Sequence, residues 1–105
     1  METSKTSRFR VLVERVYEIR IGANTRKRSL KLSYPRKGWY SGSRVYLAVD
    51  DELEGVKGFW FSGIDSLQAL QLALKHLMSE QQALHSIEGA EVFFRDEKWE
   101  WSDEV

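Results

Sequence analysis

A chain of 105 residues is long enough to bury its own core and too short for two, so residues 1–105 are read as one domain. Its composition, 42% hydrophobic and 30% charged, is that of folding chains and excludes intrinsic disorder. The absence of cysteine excludes a disulfide framework, a thiolate metal site and a cysteine nucleophile. Residues 1–7 lack the apolar core of a secretory signal and no stretch reaches the roughly 18 apolar residues of a membrane span, so the expected location is the cytoplasm.

The net charge is zero but unevenly spread. Residues 1–45 hold 12 of the 16 Lys and Arg and 3 acids; residues 46–105 hold the other 4 bases and 13 acids. Such asymmetry raises polyanion binding as a question, although basic and acidic strands lying side by side in a sheet would neutralise each other.

From Phe9 to Ile21 the chain alternates, with Phe9, Val11, Val13, Tyr17, Ile19 and Ile21 on one face and Arg10, Glu14, Glu18 and Arg20 on the other, the pattern of a half-buried strand. Turn residues Gly22-Ala23-Asn24-Thr25 follow. A second strand sets Leu30, Leu32 and Tyr34 against Ser29, Lys31 and Ser33 and stops at Pro35, completing a hairpin. A Gly-rich loop spans Arg36 to Ser43. Strands Arg44–Val49 and Val56–Phe61, joined by an acidic turn from Asp50 to Gly55, complete a four-stranded meander.

At Ser62 the period changes to that of a helix, expected over Ser66–Leu84. Asp65 is its N-cap, Gln68 stands in the capping-box position, and Ile64 and Ala69 occupy the staple positions. The predicted buried stripe is Leu67, Leu70, Ala73, Leu74, Leu77, Met78 and Leu84. After Gly89 comes an apolar run, Ala90 to Phe94, and then Trp99-Glu100-Trp101, a short partner strand or a tail laid over the core. Residues 1–7 and 102–105 are expected to be flexible. The predicted fold is α+β: an antiparallel sheet of about four to six strands on one amphipathic helix.

Few constellations carry chemistry. His76 and Glu80 share a helix face, but two ligands do not make a metal site, and no metal or cofactor is expected. Asp50, Glu52, Glu54 and Gly55 match the start of a calcium loop, yet the twelfth position is Phe61 instead of the bidentate Glu. No Gly-rich phosphate loop, nucleophile elbow or zinc-protease motif occurs, and no catalytic residue is assigned. The basic residues Arg26, Lys27, Arg28 and Lys31, continued by Arg36, Lys37 and Arg44 and interleaved with Tyr34, Trp39 and Tyr40, combine cations for phosphates with rings for bases. Trp39 and Tyr40 have no evident core position. With Arg36 and Arg44 they place the residue types that dominate protein–protein hot spots in one loop. Trp60, between Phe59 and Phe61, is read as core.

The stretch Gly63-Ile64-Asp65-Ser66-Leu67-Gln68-Ala69-Leu70 resembles the start of the helix in a family of small bacterial proteins of unknown function, in which strands precede a Gly-x-Asp-Ser-x-Gln-Ala-Leu motif. The motif is a cap plus a helical stripe, so the resemblance implies fold and no site residue. Cysteine-free, acidic-patched domains of this size are also similar in type to immunity proteins that neutralise a toxin by binding it. The functional expectation is a non-enzymatic protein-binding module with Arg36, Trp39, Tyr40, Arg44, Asp50 and Asp51 at its contact surface. The alternative is nucleic-acid binding through Arg26, Lys27, Arg28 and Lys31. An exposed edge strand would let two copies pair as a homodimer.

Overall fold

In a computed structural model, which describes residues 10–99, the alternating segments form strands and the capped segment a helix. The elements are β1 (Val11–Ile21), β2 (Asn24–Ser33), β3 (Arg36–Lys37), β4 (Ser43–Asp51), β5 (Gly55–Gly63), α1 (Ser66–Ala83), a 3-10 turn (Leu84–Ser86), β6 (Ala90–Phe94) and β7 (Glu97–Lys98). All strands join one seven-stranded antiparallel sheet. β5 pairs one side of β4. The other side of β4 is taken by β2 and, beyond Pro35, by β3, and β1, β6 and β7 follow β2. The fold is therefore α+β, and the meander read from the sequence is its first half.

Alternation decides what each face of the sheet meets. Tyr17 and Ile19 of β1, Leu30 and Leu32 of β2, and Val45, Leu47 and Val49 of β4 are buried on the inner face, and Phe59 and Phe61 of β5 pack against them. α1 covers this face over β4 and β5. Over β1 and β6 the cover comes from Leu84, Ile87 and Trp99, whose ring lies 4.8 Å from that of Tyr17. The Tyr17 hydroxyl accepts a hydrogen bond from Gln81 Nε2 at 2.6 Å, tying the end of α1 to β1.

The helix begins where its cap requires. Asp65 Oδ1 accepts from Gln68 N at 2.9 Å, a bond worth about 1 kcal/mol, while Gln68 Oε1 accepts from Ile64 N at 2.7 Å. The staple does not form, because Ile64 is 82% exposed. The buried stripe is also rotated from the predicted one. Ala69 and Ala73 face the sheet, with Leu70 and Leu77 beside them, whereas Leu67, Leu74 and Met78 are exposed. Small side chains at the contact let the helix backbone approach the strands closely.

Other differences have local causes. β2 starts at Asn24, so the turn is only Gly22-Ala23 and the basic segment lies within a strand. A register shift between Val11 and Val13 breaks the alternation there, and both residues are exposed, as is Tyr34 beside Pro35. The expected loop from Arg36 begins instead with the two paired residues of β3. Phe9, Glu100, Trp101 and the two predicted tails lie outside the described residues.

Candidate functional site

The sequence-predicted contact residues divide between the two ends of β4. Arg36, Trp39, Tyr40 and Arg44 gather at its start, while Asp50 and Asp51 lie at its end, about 20 Å away at 3.3 Å per residue.

At the first end, Arg36 and Lys37 pair with Arg44 and Ser43, and the five residues between form a tight loop closed by Gly38 N donating to Gly42 O at 3.0 Å. Gly42 adopts φ +72°, and a Cβ there would overlap the Gly63 carbonyl, so the loop depends on glycine at this point. Trp39 is thereby laid against the outer face of the sheet. Its ring meets Trp60 edge-on at 5.3 Å, and the Arg44 guanidinium stands 4.2 Å from the Trp39 ring and 4.4 Å from that of Trp60. Arg44 Nε is buried against these rings without a hydrogen-bond partner among the described residues. Tyr46 supports Trp60 from beneath at 4.8 Å, its hydroxyl end lying over Gly58, where any Cβ would collide with it.

The platform is exposed. Trp39 is 57% exposed and Tyr40 fully so. Arg36 and Arg44, opposite each other on the outer face, form no ion pair among the described residues, so this end of that face is an aromatic surface of uncompensated positive charge. Reading Trp60 as core missed one of its members. The available signal was parity: between inward Phe59 and Phe61, alternation turns Trp60 outward.

At the other end of β4 the chemistry is structural. Asp51 is buried, with Arg28 Nε at 2.7 Å and Arg26 Nε at 2.9 Å; Glu54 adds contacts to Arg28 NH2 at 3.2 Å and Arg26 NH2 at 3.7 Å. Asp51 Oδ1 also accepts from Leu53 N and Glu54 N at 2.8 and 2.9 Å, closing the β4–β5 turn. Burial pushes the Asp51 carboxyl up, but hydrogen bonds from Glu54 N, Arg28, Leu53 N and Arg26 outweigh it and hold the pKa at about 2. Two of the twelve bases of the first half, Arg26 and Arg28, are thus neutralised by Asp51 and Glu54 of the second.

The basic triad is accordingly split. Arg26 and Arg28 point to the inner face and into this cluster, while Lys27 and Lys31 occupy the outer face. An open depression of about 440 Å3 lies beside the cluster, floored by Ile19 and Ile21. The ionic groups on its wall are already engaged, Arg26 by Asp51 and Glu52 by Lys27 N at 2.8 Å. His76 Nε2 is 3.3 Å from Glu80 and its ring 4.5 Å from Phe59, and Lys57 Nζ approaches the same carboxylate at 3.7 Å. Among the described residues no group of three or more His, Asp or Glu side chains is placed to hold a metal ion. No described helix is long and apolar enough to cross a membrane.

No protein-family model, curated protein or solved structure matches the chain.

Proposed function

We propose that the chain is a non-enzymatic protein-binding module that docks its partner on the platform of Trp39, Tyr40, Arg44 and Arg36. The observation that carries this reading is the pair of adjacent rings left in water, Tyr40 fully and Trp39 more than half exposed, next to an arginine stacked against two touching indoles. Trp, Tyr and Arg supply most hot-spot energy because they combine large apolar area with directional polar groups and lose little entropy when pre-stacked. The uncompensated charge of Arg36 and Arg44 fits a partner surface that presents carboxylates. An immunity-type protein that occludes a toxin is one form such a module takes.

The test compares wild-type chain with Trp39→Ala/Tyr40→Ala as baits in nuclease-treated lysate of the native host. A protein captured by the wild type should fall by at least about thirtyfold in affinity for the variant, the loss of a 2 kcal/mol hot spot. The variant's own stability should drop by only about 1 kcal/mol, from the lost edge-on ring contact. Equal capture by both baits would remove the platform from the account.

Nucleic-acid binding remains a second reading because Lys27 and Lys31 share the outer face with Arg44, Tyr46 and Trp60. On that reading Lys27→Ala/Lys31→Ala lowers the slope of log affinity against log salt by about two. Failure to bind any oligonucleotide at low salt disposes of it.

A further inference from the structure

We infer that β5 is the pairing edge of a two-fold dimer, in which a second copy of this chain adds its own β5 antiparallel with Trp60 opposite the second copy's Trp60. β5 pairs β4 over nine residues without a register shift and has no strand on its other side among the described residues. A long regular edge is a template for another strand, and proteins that stay monomeric blunt it.

β1 shows what such protection looks like. Only its stretch from Glu18 to Ile21 is paired by β6; the remainder carries the register shift at Val11/Val13 and the inward-facing charge of Arg15. β5 has no bulge and no proline, and its one charge, Lys57, also faces the helix side but is met there by Glu80 at 3.7 Å. It exposes apolar side chains instead, Val56 at 70%, Trp60 at 39% and, just past its end, Ile64 at 82%.

One register accommodates all three. A two-fold axis at Trp60 sets Val56 opposite the second copy's Ile64 and Phe59 opposite its Phe61, each pairing occurring twice, and leaves Lys57 diagonal to the second copy's Asp65. Moving the axis to Phe59 or Gly58 sets Ile64 opposite Glu54 or Glu52 of the turn before β5, and opposes Lys57 to a phenylalanine in both cases. Trp60 belongs to both surfaces, whereas Trp39 and Tyr40 lie outside the paired strands, so substitutions at 39 and 40 test the platform and substitutions at 56 and 64 test the dimer separately.

Because the native chain has no cysteine, the register can be read by cross-linking. Positions 56 and 64 are about 26 Å apart along an extended strand, beyond the reach of an intrachain disulfide. Sedimentation of the wild type should give a concentration-dependent dimer of twice the 12.3 kDa chain mass. Val56→Cys/Ile64→Cys should oxidise to a covalent dimer far faster than either single variant. Val56→Lys/Ile64→Lys, which opposes like charges at two places, should raise the dimer dissociation constant at least about tenfold with unchanged circular dichroism. A wild type that stays monomeric up to millimolar concentration, or a dimer that neither cross-links at these positions nor responds to the lysines, overturns the inference.

Discussion

Asp51→Ala should cost about 3–5 kcal/mol of folding stability, a large part of the roughly 5–15 kcal/mol available to a domain of this kind. The substitution leaves the buried Arg28 guanidinium and Arg26 with only the more exposed Glu54 carboxylate for a partner, and it frees the Leu53 and Glu54 backbone N–H groups that close the β4–β5 turn. Breaking a buried ion pair on one side is far more damaging than removing both partners, because the remaining charge stays desolvated. The same carboxylate predicts a pH dependence. Its folded pKa is depressed from 3.8 to about 2, so its contribution is fully present above 3.8 and is lost as pH falls through about 2. That component is worth about 2 kcal/mol and should be missing from Asp51→Ala. Urea titrations at neutral pH and at descending acid pH measure both effects. A neutral-pH loss below about 1 kcal/mol would show that the cluster is not buried as described.

The second large effect lies at the helix–sheet contact. Ala73→Leu should destabilise by about 1–3 kcal/mol or more, because its Cβ already faces the sheet at zero exposure and added methylenes must displace packed strands. Leu67→Ala, by contrast, should change stability by no more than about 0.5 kcal/mol, since Leu67 is 63% exposed and alanine is the better helix former. If the helix sat with the phase expected from its leucines, Leu67 would be buried and Leu67→Ala would cost about 2–5 kcal/mol. Thermal or urea unfolding of the pair therefore fixes the rotation of α1.

These contrasts show where the sequence was legible. The strands and the cap of α1 were readable because each rests on a local pattern, alternation in β1 and β4 and the Asp65/Gln68 pair at the helix start. The rotation of α1 was not, because leucine dominates any reading of hydrophobic periodicity while close packing on a sheet selects alanine. Arg26 and Arg28 occupy core parity in β2, but an arginine in a sequence reads as solvated until a partner is placed beside it, and Asp51 is 23 residues from Arg28 along the chain. For that reason the basic triad looked like one surface and is two. The gathering of Arg36, Trp39, Tyr40 and Arg44 followed from their nearness in sequence, whereas the recruitment of Trp60 and Tyr46 required knowing that β5 returns beside β4. The identity of the free edge likewise follows from topology, not from any residue in β5.

The docking platform is tested most directly by placing a photoreactive benzoylphenylalanine at Tyr40, the fully exposed ring, and in a separate variant at exposed Asp50 on the far end of β4. After irradiation in the native host, the account predicts a covalent adduct to a second protein at position 40 and none of comparable yield at position 50. An adduct at position 50 with none at position 40 would place the binding surface at the acidic end of β4 and contradict it.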